Sequence, residues 1–169
     1  GVDHIDIAAA VDRGVIVTNT PGVLTEDTAD LAMALILAVS RRIVEGSAVV
    51  AAGGYAGWTP TWMCGRRVRG KRLGIVGMGR IGQAIARRGA LGFGMQVIYH
   101  NRTRLPEDAE RAVGNARFVP LQELLASADH VVLVAPLTPE TRHLIGAAEL
   151  ALMKSTATLV NIGRGGVVD

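Results

Sequence analysis

The sequence is poor in cysteine, lysine and aromatic residues. Cys64 is its only cysteine, so no internal disulfide and no cysteine-based metal site can form. That fits a reducing, cytoplasmic compartment. Lys71 and Lys154 are the only lysines among 18 basic residues, and arginine supplies the rest. The longest apolar run, LAMALILAV at 31–39, falls well short of the roughly 20 residues that span a bilayer and reads as a buried helix. No secretory signal opens the chain. There is no H-E-x-x-H, no G-x-S-x-G and no internal repeat. Neither a membrane nor a metal is expected.

What is present suits one ordinary domain. The chain has 169 residues, 49% of them apolar, and a net charge of +3; disorder is not expected from such a balance. The one dense basic run is RRVRGKR at 66–72. It precedes an apolar strand pattern and reads as a solvated strand entry. A nucleic-acid surface is the competing reading, and salt-sensitive DNA binding would be its mark. No nucleic-acid partner is expected.

Residues 1–20 read as a short helix around IDIAAAVDRG, a stop at Gly14 and a strand, VIVTN at 15–19. Pro21 and Gly22 mark a break. A long helix follows from about Thr25, with Thr25 as N-cap and Glu26 and Asp27 in its first turn. Leu31, Leu35, Val39 and Ile43 give it an apolar stripe. Residues 51–65 hold too many Gly and Pro for regular structure; Trp58 and Trp62 there need burial, on the core or on a partner subunit. From Arg72 the pattern alternates: strand RLGIVG; a helix over 80–91 with Ile81, Ala84, Ile85 and Leu91 on one face; strand MQVIYH; a weak helix at 106–113; a short strand ARFV; helix LQELLASA; strand HVVLVAP; a helix from Pro139 capped by Thr138; and strand ATLVNI at 157–162. Strands alternating with helices predict an α/β fold, a Rossmann-type doubly wound parallel sheet covered on both faces.

The motifs fall at the carboxyl ends of these strands. Gly77, Gly79 and Gly82 form G-x-G-x-x-G between a strand and a helix, the setting that makes this short pattern meaningful. Gly77 permits the tight turn, Gly79 the approach of a pyrophosphate, and Gly82 close packing of helix on strand. The amides of the first helical turn, at Arg80, Ile81 and Gly82, then face the phosphates, with Met78 between the glycines.

Asn101 stands 19 residues past Gly82, where a dinucleotide site usually carries an acid for the ribose. Arg102, Thr103 and Arg104 follow. An acid would repel a 2′-phosphate, whereas Asn101 can donate to it and Arg102 or Arg104 can pair with it. NADP is therefore favoured over NAD; the competing reading is a solvated basic turn in an NAD site. Ala135 and Pro136 end a central strand and suit an adenine wall. Ile162 and Gly163 end the last strand at the same crevice. Arg164 beside them suits a substrate carboxylate and an adjacent carbonyl; the competing reading is an arginine that caps local carbonyls or is exposed to water. A reductase also needs a proton donor, and none of His4, His100, His130 or His143 is well placed.

Four blocks in order, GVDHIDIAAAVDRGVIVTNTPGVLTEDTADLAMALILA, GKRLGIVGMGRIGQAIARR, VVLVAPLTPETRHLI and LVNIGRGGVVD, resemble the D-isomer-specific 2-hydroxyacid dehydrogenases. Within that family the chain looks most like the glyoxylate/hydroxypyruvate reductases, partly because of YHNRTR at 99–104. The resemblance implies reduction of small 2-oxo acids by NADH or NADPH, a homodimer and two domains. Residues 1–20 would end a substrate-domain segment and residues 21–169 would belong to the nucleotide domain. It implies that the long helix and the Trp-bearing loop serve the dimer, and that Arg164 is the family's catalytic arginine. The family's catalytic Glu and His fall beyond Asp169, so this polypeptide alone is expected to be inactive. A nucleotide-sensing transcriptional corepressor of the same fold is the alternative.

Overall fold

The computed structural model describes residues 1–169. Five strands form one sheet: β1 (Arg72–Val76), β2 (Gln96–His100), β3 (Arg117–Phe118), β4 (His130–Leu133) and β5 (Thr158–Asn161). All pairings are parallel and the order is β3-β2-β1-β4-β5. This is the expected Rossmann-type arrangement. The order reverses between β1 and β4, and the crevice outside that point is where such sheets bind ligands.

Register explains the apolar runs. Ile75 pairs with Tyr99 and Val132, and Val132 with Val160. These four point to one face, where Ala29, Ala32, Met33 and Ile36 of α2 (Thr25–Ser40) and Ala84 and Ile85 of α4 (Arg80–Arg87) cover them. Ile98, Val131 and Val76 alternate to the other face, beneath Leu124 and Leu125 of α6 (Leu121–Ser127). A strand buried on both sides has no polar face to display. Helix α6 lies so close that a Cβ on Gly74 would sit 2.6 Å from Leu124 Cδ2. Helices α2 and α4 are further tied by Arg88, which binds Asp30 at 2.6 Å and Glu26 at 2.8 Å. Helices α1 (Ile7–Asp12), α3 (Ile43–Ala51), α5 (Glu107–Ala112) and α7 (Ala147–Leu152) complete the chain, and no helix is long and apolar enough to cross a membrane.

Several local expectations give way. VIVTN at 15–19 forms no strand: Val15 and Ile16 are exposed, and an extended segment without a neighbouring strand gains no ladder. Leu24, not Thr25, occupies the N-cap of α2, and no side chain caps it. The stripe of Leu31, Leu35, Val39 and Ile43 faces outward; the core side of α2 uses the small residues Ala29 and Ala32, which let α4 approach. Leu91 is also exposed, because residues Arg88–Gly92 form a π-helical turn. The wider turn rotates Leu91 off the apolar face and brings Gly89 against Leu73. Trp58 and Trp62 do not enter the core.

No helix starts at Pro139. Thr141 Oγ1 donates to the Pro136 carbonyl and accepts from the Thr138 amide at 2.8 Å. These side-chain bonds satisfy the backbone in a turn and compete with helix formation. The helix comes later, as α7. His143, expected in a helix, lies in this turn with φ 51° and pairs with Asp169.

Candidate functional site

The glycine turn is built by close approach. Gly77 has φ +103°, and a Cβ there would meet the Ala135 amide nitrogen at 2.8 Å. The turn therefore runs directly against the end of β4, and the Gly77 amide donates to the His100 carbonyl at the end of β2. At Gly82 a Cβ would collide with the Gly77 carbonyl oxygen, so only glycine lets α4 start this near β1. Gly79 differs: no heavy atom lies within 4 Å of its Cβ position. It is also the N-cap of α4, with no side chain capping the helix. The amides of Arg80, Ile81 and Gly82 are thus left without intrahelical partners at the positive end of the helix. Open space beside Gly79 and uncommitted donors suit a pyrophosphate, so these residues fit the cofactor the sequence suggests. Met78 is buried and offers the crevice only its backbone.

The turn after β2 is set by its own side chains. Asn101 Nδ2 donates to the Thr103 carbonyl at 3.0 Å. Arg104 is exposed but already engaged: Nε and Nη2 grip Glu110 at 2.9 and 2.8 Å. Arg102 and Thr103 are exposed, and the charge of Arg102 helps hold Glu140, after Thr138 and the Glu140 amide, below the usual carboxylate range. Of the two exposed arginines in the turn, Arg104 is committed to Glu110 and Arg102 is in no ion pair. Ala135 is buried at the floor of the crevice and Pro136 exposed above it.

At the end of β5 a Cβ on Gly163 would meet the Ala135 carbonyl oxygen at 2.7 Å. Asn161 pins the following turn, accepting from the Gly163 amide at 3.0 Å and donating to the Arg164 carbonyl at 2.9 Å. Arg164 stands at the carboxyl edge with its side chain half exposed, paired with Asp3 at 2.8 Å. The sheet thus brings together the glycine turn, the 101–104 turn, Ala135, Pro136, Ile162, Gly163 and Arg164 at one edge. Sequence reasoning missed Asp3, Glu110 and Asn161. Asn161 carried a signal, an Asn two residues before a glycine and so a candidate Asx turn; the other two carried none.

His130 and His100 take structural places. His130 is buried, with Nδ1 2.8 Å from Thr158 Oγ1, and burial pushes its pKa down. His100 stacks on Phe118 and its Nδ1 lies 3.1 Å from the Val119 carbonyl.

The D-isomer specific 2-hydroxyacid dehydrogenase, NAD binding domain, matches residues 33–169. The chain is 56% identical over 173 aligned positions to the glyoxylate reductase of Thermococcus litoralis, covering 100% of this chain and 51% of that protein. Among solved structures it resembles the TT0316 protein of Thermus thermophilus, with TM-score 0.93 and 51% identity, over 100% of this chain and 52% of that one. It also resembles a glyoxylate reductase from Paecilomyes thermophila, with TM-score 0.87 and 40% identity, over 100% and 49% of the two chains. The chain spans about half the length of these relatives. With the fold, the glycine turn and four ordered sequence blocks in agreement, the chain belongs to the D-isomer specific 2-hydroxyacid dehydrogenase family.

Proposed function

We propose that the whole protein reduces small 2-oxo acids of the glyoxylate or hydroxypyruvate type to 2-hydroxy acids, with NADPH preferred to NADH. One observation carries the reading: the open cradle at Gly79 and the guanidinium of Arg164 lie at the carboxyl edge of the same sheet. The relatives named glyoxylate reductase support it; the corepressor alternative gains nothing from them.

When bound, the reduced nicotinamide supplies hydride. The residues of this chain bind and orient. The amides of Arg80, Ile81 and Gly82 receive the pyrophosphate, with Met78 contributing backbone. Asn101 and Thr103 shape the ribose turn, Arg102 pairs with a 2′-phosphate, and Arg104 fastens the turn through Glu110. Ala135 and Pro136 wall the adenine, and Ile162 and Gly163 line the crevice toward the substrate. Arg164 binds the 2-oxo acid carboxylate and polarises the adjacent carbonyl, stabilising the charge that grows on its oxygen. As hydride arrives at C2, the carbonyl oxygen also takes up a proton.

Residues 1–20 belong, in this reading, to the substrate-domain segment and residues 21–169 to the nucleotide domain. The outward stripe of α2 and the Trp58–Trp62 loop form the contact of a homodimer. The test is glyoxylate-dependent oxidation of NADPH by the full-length protein, monitored by loss of reduced-nicotinamide absorbance. Turnover that falls by orders of magnitude in Arg164→Ala supports the reading; absence of turnover with any small 2-oxo acid overturns it.

A further inference from the structure

Arg164 is held at both ends. Asn161 fixes its backbone, and its guanidinium is gripped along one edge: Nε donates to Asp3 Oδ2 at 2.8 Å and Nη2 to Asp3 Oδ1 at 3.0 Å. The partner comes from the far end of the chain, in the turn before α1. A guanidinium has five N–H donors in a planar fork, with two edges able to take a carboxylate. Asp3 takes the Nε/Nη2 edge. The Nη1/Nη2 edge has only a 3.3 Å contact, from Nη1 to the Gly163 carbonyl. It is the edge left for a second carboxylate.

We propose that Asp3 is a positioning residue for Arg164: by holding the Nε/Nη2 edge, it presents the adjacent Nη1/Nη2 edge to the carboxylate of the 2-oxo acid. This rests on the reading of Arg164 given above. The alternative geometry is that Asp3 occupies the substrate's own place and must leave before substrate binds. The two differ in sign. A positioning partner helps substrate binding when present; an occupying one hinders it. The pair is ionised at any working pH, since hydrogen bonds from Arg164 hold the Asp3 carboxyl at about 2.

The experiment compares wild type, Asp3→Ala, Asp3→Asn and Asp3→Glu in the full-length protein. It reads KM and kcat for glyoxylate, inhibition by oxamate as a non-reducible 2-oxo acid analogue, and NADPH affinity by fluorescence titration. Loss of orientation in an active site costs up to about a hundredfold. Asp3→Ala and Asp3→Asn are therefore expected to lower kcat/KM by between about tenfold and a hundredfold, to weaken oxamate in parallel, and to leave NADPH affinity unchanged. Asp3→Glu should recover part of the loss. NADPH binding that weakens together with oxamate indicates general damage and overturns the assignment, as does tighter oxamate binding in Asp3→Ala, or unchanged glyoxylate kinetics. Wild-type protein that reduces no 2-oxo acid overturns the functional reading first, and this assignment with it.

Discussion

Tyr99 donates its hydroxyl to Glu110 Oε1 at 2.6 Å inside the core, directly beneath the turn that follows β2. The same hydroxyl accepts from the Leu105 amide at 2.8 Å, and Arg104 closes on Glu110 from outside. One buried phenol and one nearly buried carboxylate thus fasten the 101–105 turn to the sheet. Tyr99→Phe removes the acceptor of the Leu105 amide and one donor to Glu110. It should destabilise the fold by about 1–3 kcal/mol, measured by urea unfolding, with a matching loss in Glu110→Ala.

The same cluster sets a pH dependence. Arg104 first, and Tyr99 second, hold the Glu110 carboxyl at about 2, below its ordinary 4.5. Its contribution is complete above 4.5 and is lost as pH falls toward about 2. Burial first, and Glu110 second, push the Tyr99 hydroxyl up from 10.0 to about 12. That contribution is complete below 10.0 and is lost as pH rises toward about 12. Between these limbs the cluster adds no slope. Melting temperature against pH should show a shallower acid limb in Glu110→Gln and a shallower basic limb in Tyr99→Phe.

The glycines of the turn separate stability from binding. A Cβ on Gly82 runs into the Gly77 backbone, whereas one on Gly79 meets nothing within 4 Å. Gly82→Ala should cost about 1–3 kcal/mol of stability through forced backbone movement and also weaken nucleotide binding. Gly79→Ala should keep the melting temperature of the wild type and lose nucleotide affinity alone. Thermal unfolding with and without NADPH distinguishes the two.

Arg102 and Arg104, alike in chemistry, should behave differently. Arg102→Ala is expected to weaken NADPH by about 1.5–3 kcal/mol, the range for a hydrogen bond to a charged group, and to leave NADH unaffected. Arg104→Ala should instead lower stability, by leaving Glu110 without its cation. Isothermal titration with both nucleotides, alongside urea unfolding, separates these roles. Equal affinity for NADH and NADPH in the wild type would remove the 2′-phosphate role of Arg102.

Leu31 and Val39 are both more than half exposed on α2, at 54% and 58%. A single charge at either site does not touch the core. If α2 carries the proposed homodimer contact, Leu31→Glu or Val39→Glu should yield monomer while far-UV circular dichroism stays unchanged, with sedimentation velocity as the measurement; an unchanged sedimentation coefficient would remove that contact.

The sheet was legible because its signals are local. The runs around Ile75, Val132 and Val160 mark strands buried on both faces, and G-x-G-x-x-G marks the turn that joins β1 to α4. The turn at Pro139 was not legible, because a proline after a threonine opens a helix in most settings; here Thr141 diverts the backbone. Nor was the facing of α2, since a helix apolar on two sides gives no unique inward stripe. Glu110 lies six residues from Arg104, a spacing with no helical or strand meaning, and their pairing depends on the shape of the turn between them. Asp3 and Arg164 are separated by 161 residues, and only the folded sheet brings them together.

That separation also has a kinetic meaning. The turn that holds the Arg164 backbone closes over three residues, through Asn161. The grip on its guanidinium closes over 161 residues, and loop-closure entropy rises by about 0.6 kcal/mol for each doubling of length. An exposed ion pair returns too little to offset that early in folding. An order of events is expected from this: the Arg164 backbone is set when β5 docks on β4, and its side chain is clamped once the turn holding Asp3 has returned to the crevice. The Asp3–Arg164 pair is therefore expected to form late in refolding, and a probe near Asp3 should change more slowly than one in the β4–β5 pair.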